Sequence, residues 1–172
     1  GRPKIFNEQT AIHQAVDLFW RKGYEASSTD ELIQVMGVQR GSFYHSFKSK
    51  RDLYILALDT HENESFNVFE KELNKSDLPM KVLKNAFLQL ADCSDNEHML
   101  GCFAGNTIAE FSGIDEELVN HAKKHLKRLE GIMVRQIRTS QQSGELKTKE
   151  DAVLLGRYLL NLWNGVNITR RI

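Results

Sequence analysis

Apolar residues recur three and four positions apart along nearly the whole chain, the spacing that gathers them on one face of an α-helix. In NEQTAIHQAVDLFWRKGY the stripe is Ile12, Ala15, Val16 and Phe19, with Asn7 suited to cap the start and Gly23 to stop the end. In SSTDELIQVMGV, Ser28 can cap, Asp30 and Glu31 suit the positive end of the helix dipole, and Leu32, Ile33 and Met36 face inward before Gly37 ends the run. Two turns are too few to persist alone, so neighbouring elements must hold this helix. Next comes VQRGSFYHSFKSK, residues 38 to 50, whose only large anchors at helical spacing are Phe43 and Phe47.

Ser49 then caps a long helix, with Asp52 three residues on in a capping-box-like position. Leu53 to Leu58 is apolar almost all round, whereas Phe66, Phe69 and Leu73 form a single stripe. That change predicts a connecting helix with one end packed between two bodies. Further helices are predicted from Asp77 to about Ala91 (Pro79 in the first turn), from about Leu100 to Phe111, from about Asp115 to Ser143, and from Glu150 onward. The last carries Leu155, Leu159, Leu162 and Val166 on one face with Leu154, Tyr158 and Trp163 beside it. No useful stretch of period-two alternation and no internal repeat occurs, so the expected fold class is all-α. Residues 1–48 form one expected domain and residues 49–172 the other, the second continuing beyond Ile172 because no stop signal precedes it.

Composition adds a class and a compartment. The chain has 172 residues, 41% hydrophobic and 27% charged, as in ordinary soluble globular proteins. It holds no apolar run of the roughly 20 residues a membrane span needs. Cys93 and Cys102 fit neither a disulfide framework nor a CxxC metal site. A cytoplasmic protein is expected. The chain starts without Met, at Gly1-Arg2-Pro3-Lys4, which suggests a piece of a longer one.

The formal net charge of +0 hides a local field. No Asp or Glu lies between Leu32 and Arg51, while Arg40, Lys48, Lys50 and Arg51 all fall in that window. Two short helices separated by MGV, the first acidic at its start and the second basic and polar, have the dimensions of a helix-turn-helix. The second helix of that device enters the major groove, so it must be polar outward and anchored by few inward residues. Gln39, Arg40, Ser42, Tyr44 and His45 then point outward, with Arg40 suited to guanine and Gln39 to adenine. Gly41 lets the backbone come close to DNA, and Thr29, Tyr44, Lys48 and Lys50 are suited to phosphates. The competing reading is a solvated basic surface.

The stretch GYEASSTDELIQVMGVQRGSFYHSFKSKRDLYILAL resembles the DNA-binding signature of the tetracycline-repressor (TetR) family, over roughly residues 5 to 58. Gly23-Tyr24, Thr29, Ile33, Gly37-Val38, Gly41, Phe43-Tyr44, Phe47, Lys50 and Leu53 carry the resemblance. It implies a homodimeric all-α transcriptional regulator, usually a repressor, with a three-helix helix-turn-helix domain and a helical ligand-binding and dimerisation domain. Such a regulator leaves its operator when a small molecule binds. The resemblance also implies that Arg2 and Lys4 belong to a basic arm that reaches a minor groove. Gln39 departs from the pattern, standing where the family often has Ser or Thr as the cap of the recognition helix.

Past residue 60 the resemblance weakens. GCFAGNTIAEF and VNHAKKHLKRLEGIMVRQIRTSQQSGEL are similar to a C-terminal subfamily, some of whose members answer to electrophiles or oxidants. Cys102, Asn106 and Glu110 stand at i, i+4 and i+8, flanked by Phe103 and Thr107, and predict a polar stripe on a ligand pocket walled by Phe66, Phe69, Phe87 and Trp163. The alternative is plain core packing. Cys102, near a helix start, is expected to have a lowered pKa and to be a candidate nucleophile; a small buried hydrophobe is the competing reading. His121 and His125 are expected on a solvated face rather than on a metal. No enzyme signature, cofactor motif or metal site is found, so the expected function is an effector-responsive DNA-binding regulator. The alternative is a helical ligand-binding protein or enzyme that binds no operator. The two long C-terminal helices are expected to pair with those of a second copy.

Overall fold

The computed structural model describes residues 6–92 and 100–169. Its helices are α1 (Glu8–Lys22), α2 (Thr29–Val35), α3 (Arg40–Phe47), α4 (Lys50–Lys75), α5 (Pro79–Ala91), α6 (Phe103–Phe111), α7 (Glu116–Ser143) and α8 (Ala152–Thr169). Among the described residues no helix is long and apolar enough to cross a membrane. The starts follow local chemistry. Asn7 Oδ1 accepts from the Thr10 N–H at 3.1 Å, Ser28 Oγ from Glu31 at 3.1 Å, and Ser49 Oγ from Asp52 at 3.0 Å, each satisfying an otherwise unpaired first-turn donor. Gly144, at φ 81°, closes α7 in the left-handed conformation.

Three helices begin two or three residues later than predicted, α5 among them, at Pro79 rather than Asp77. Gly101 turns the chain at φ 68° and Cys102 takes the cap position, its Sγ accepting from the Gly105 N–H at 3.3 Å, so α6 starts at Phe103 rather than near Leu100. Asp151 Oδ1 accepts from the Val153 N–H at 2.9 Å, which fixes the start of α8 at Ala152.

One buried core runs through α1, α2, α3, the first two turns of α4, α6 and the start of α7. A second joins the later part of α4 to α5, α7 and α8. Tyr54 explains why α4 is apolar all round at its start. Its ring, 1% exposed, meets Phe19 and Tyr24 on one side at 4.9 and 5.2 Å between centroids, and Phe103 and Phe111 on the other at 5.5 and 5.7 Å. The helix is a shared wall there. Farther along, α7 and α8 approach so closely that a Cβ on Gly156 would stand 2.4 Å from Val134 Cγ2.

The pair His121 and His125 is a correction. The predicted solvated face is turned instead onto α4, where His125 is buried and its Nε2 lies 2.7 Å from Asp59 Oδ1, with His121 Nδ1 at 3.6 Å from the same oxygen. Burial raises the Asp59 carboxyl, but the hydrogen bond and charge of His125, then those of His121, outweigh it and hold the group below its ordinary value.

Candidate nucleic-acid interface and ligand cleft

Eight residues of α3 are held by two side chains. Phe43 and Phe47 are 0% and 3% exposed, and their rings pack 5.7 Å apart. Around them Gln39, Arg40, Gly41, Tyr44, His45 and Lys48 are exposed, and Ser42 and Thr29 are half-buried. Gln39 occupies the cap position without a side-chain cap bond, which leaves its amide outward. A Cβ built on Gly41 meets nothing within 4 Å, so the fold does not require glycine there. Arg40 makes an ion pair with Asp30 of α2, both side chains being mostly solvated. Arg2 and Lys4 lie outside the described residues.

The exit from α3 is strained. Lys48 has φ 60° and ψ −58°, and the Ser49 N–H donates across it to Phe47 O at 2.6 Å, a γ-turn of the rare positive-φ kind. Just beyond, the Lys50 ammonium lies 4.0 Å above the centre of the Tyr24 ring. Arg51 donates to Asp115 from Nε at 2.8 Å and to Glu117 from Nη2 at 2.7 Å, joining the start of α4 to the start of α7. The Arg51 hydrogen bond, with the Leu118 and Glu117 N–H groups in the first turn of α7, holds the Asp115 carboxyl down at about 2.

The predicted polar stripe on α6 is divided by the structure among three jobs. Glu110 is carried roughly 12 Å along the axis from Cys102 by the helical rise. There its carboxylate accepts from the Tyr24 N–H at 3.0 Å and from the Glu25 N–H at 3.1 Å, so it clasps the loop between α1 and α2 rather than lining a pocket with Cys102. Thr107 is drawn into the core. It is 0% exposed, donates to Phe103 O at 2.9 Å, and accepts from the Tyr54 hydroxyl at 2.9 Å. Asn106 donates to Leu100 O at 2.7 Å and borders a recess of about 280 Å³ with Cys102, Leu126 and Asn164.

A larger cleft of about 520 Å³ opens between α1, α4, α6 and α8. Of the residues named for a pocket, Phe66, Cys102, Phe103 and Trp163 border this cleft, whereas Phe69 packs against the second core and Phe87 lies edge-on to Trp163 at 5.8 Å. Trp20, His61 and Glu62 also line it and escape sequence reasoning. Glu62 did leave a signal, since it interrupts the Leu58, Phe66 run at the i+4 position where an apolar residue belongs. It is 4% exposed, its Oε1 accepts from the Ala104 N–H at 2.9 Å, and burial raises its pKa against that hydrogen bond. Burial likewise lowers His61 toward the neutral imidazole.

The Cys102 thiol also departs from the expected lowered pKa. Burial, reinforced by the Glu62 charge, pushes its thiol up to about 12, against hydrogen bonds from the Gly105 N–H, Trp163 and the Ala104 N–H. A place at a helix start lowers a thiol pKa only when water or a cation also supports the thiolate; here the surroundings are apolar and acidic.

The chain matches known proteins over both halves. Residues 11–57 match the family described as bacterial regulatory proteins, tetR family, and residues 79–172 match the tetracyclin repressor-like C-terminal domain. The HTH-type transcriptional repressor ComR of Escherichia coli is 27% identical over 173 aligned positions, covering 99% of this chain and 82% of that protein. Among solved structures, the TetR family regulator CifR, a cysteine mutant complexed with 26-bp double-strand operator DNA, superposes with a TM-score of 0.86 at 20% identity, covering 99% and 90% of the two chains. The regulator FadR of Bacillus subtilis, in complex with stearoyl-CoA, gives 0.76 at 21% identity, covering 95% and 86%. With both family regions matched in order over an all-helical fold, the protein belongs to the TetR family of helix-turn-helix transcriptional regulators.

Proposed function

We propose that the protein is a homodimeric repressor that reads a palindromic operator with α3 and releases it when a small molecule fills the cleft beside α6. The observation that carries this reading is the span of α6: Cys102 and Phe103 at its start line the cleft, and Glu110 near its end holds the backbone of Tyr24 and Glu25. A ligand that shifts α6 therefore pulls on the loop joining α1 to α2. Affinity for DNA falls by the ligand's differential affinity for the two arrangements.

Base readout is assigned to Gln39, Arg40, Ser42, Tyr44 and His45, with backbone approach at Gly41. Phosphate contacts go to Thr29, Tyr44, Lys48 and Lys50, and minor-groove contacts to Arg2 and Lys4. Dimerisation is supported by an exposed apolar stripe on α8, where Leu154, Tyr158, Leu162 and Ile168 are 59%, 65%, 43% and 67% exposed. Paired α7 and α8 helices from two copies make a four-helix interface that sets the distance between the two α3 helices. The compartment is assigned as the cytoplasm, and the role as regulation rather than catalysis.

Selection of duplexes from a random pool tests the reading. A palindromic consensus is expected, with Arg40→Ala flattening the preference at one base position per half-site and Lys48→Ala weakening all sequences alike. Failure to enrich any duplex would favour a helical ligand-binding protein without an operator.

A further inference from the structure

The geometry points to an organic cation, an ammonium or similar compact positive centre on an apolar body, as the effector class taken by the cleft between α1, α4, α6 and α8. This rests on reading that cleft as the effector site.

Glu62 is the reason. Its carboxyl is 4% exposed and lines the cleft, one oxygen accepts a single backbone N–H, and among the described residues no lysine or arginine pairs with it. His125 eases its charge slightly but is itself hydrogen-bonded to Asp59. At the mouth, Arg21 is matched by Asp17, whose Oδ1 accepts from Nε at 2.7 Å, so the two cancel. Among the described residues the unmatched charge within is therefore negative whenever Glu62 ionises. Burying an acid so poorly partnered is costly in the empty protein.

The walls favour the same sign. Trp20, Phe66, Phe103 and Trp163 surround the space, and ring faces present negative charge to a ligand. His61, packed 4.3 Å from the Trp20 ring, is shifted toward its neutral form and adds no competing cation. An anionic ligand would place a second negative charge beside a buried acid. A neutral ligand would leave that acid uncompensated. A cation satisfies the carboxyl and the rings together, and the cleft's volume, about 520 Å³, admits a molecule of drug size.

Benzyltrimethylammonium and neopentylbenzene test this, being the same shape with a positive nitrogen or a neutral carbon at the branch. Both tryptophans of the chain, Trp20 and Trp163, line the cleft, so intrinsic fluorescence of the full chain reads occupancy directly. The cation is expected to bind at least about tenfold more tightly than its neutral twin. Glu62→Gln keeps a carbonyl acceptor for the Ala104 N–H and should abolish that preference by weakening the cation alone. If Glu62→Gln unfolds by circular dichroism, Phe103→Leu serves instead, and should weaken the cation more than the neutral twin. Equal or tighter binding of neopentylbenzene overturns the cation class while leaving the cleft an effector site. Absence of binding by both probes overturns the effector-site reading with it.

Discussion

Helix α3, assigned to DNA reading, and helix α6, which runs from the cleft to the α1–α2 loop, are almost equal in length, eight and nine residues, yet they are fixed in opposite ways. In α3 two phenylalanines face inward and nearly everything else faces out. In α6, Phe103, Ala104, Thr107 and Phe111 are buried, Cys102 meets the cleft, and Glu110 grips another element. The first arrangement separates holding from reading: outward side chains can change with little effect on the fold. The second merges them, so almost any change in α6 alters packing, cleft and linkage together. A regulator needs both, a stiff reader and a lever that responds.

The most disruptive way to break this contrast is to remove an anchor of the reader. Phe43 is 0% exposed, and Phe43→Ala is expected to cost about 3–5 kcal/mol, the range for truncating a fully buried aromatic. Urea unfolding monitored by circular dichroism gives the value. Arg40→Ala, three positions before Phe43 and exposed, should stay within roughly 0.5 kcal/mol of the parent because its ion pair with Asp30 is solvated. Similar costs for the two would mean that holding and reading are not separate.

Next in size is the clasp at the far end of α6. Glu110→Ala strands the Tyr24 and Glu25 amides and is expected to lower stability by about 1–3 kcal/mol. It should also uncouple the ends of the lever: a cleft ligand still binds, measured by tryptophan fluorescence, but no longer shifts operator affinity. Full retention of the ligand response would remove Glu110 from the coupling route.

The joint between α4 and α7 gives a pH test. The folded Asp115 carboxyl titrates at about 2 against an ordinary 3.8, so the unfolded chain binds the proton more readily. Its contribution is fully present above about pH 4 and is lost as pH falls toward 2. The difference in urea midpoint between the parent and Asp115→Asn should therefore be flat above about pH 4 and shrink below it. A difference unchanged down to pH 2 would show that the Arg51 pairing does not depend on that charge.

Local signals make α3 and its supports legible in the sequence: caps at Ser28 and Ser49, anchors four apart at Phe43 and Phe47, and acid-free sequence between Leu32 and Arg51 all act within a few residues. The lever was not legible in the same way. Glu62 meets Ala104 across 42 positions, His125 meets Asp59 across 66, and Glu110 meets Tyr24 across 86. Helical periodicity places such residues on a face but says nothing of what that face meets. For the same reason the i, i+4, i+8 stripe of Cys102, Asn106 and Glu110 resembles one surface in sequence: spacing fixes the angle about the axis, while roughly 12 Å of helical rise separates its ends. The thiol of Cys102 is set by desolvation, which comes from distant segments, and not by its local helix position.

A small gain in stability sharpens the comparison most, because fold and function should move in opposite directions. A Cβ on Gly41 meets open space, and the residue sits in the first turns of α3, where alanine is a better helix former by about 0.5–1 kcal/mol. Gly41→Ala is therefore expected to raise the unfolding midpoint slightly. The same methyl group stands on the face assigned to DNA, between Arg40 and Ser42, and holds the helix backbone away from the groove. Operator affinity should fall by about tenfold or more, a cost of roughly 1.4 kcal/mol, as measured by fluorescence anisotropy at fixed salt. The bulk of that loss should appear with the palindromic operator and little with unrelated duplex, since non-specific binding runs through phosphates. A Gly41→Ala protein that is more stable and binds its operator as tightly as the parent would mean that this face of α3 does not approach DNA closely, and the reader would have to be turned about its axis.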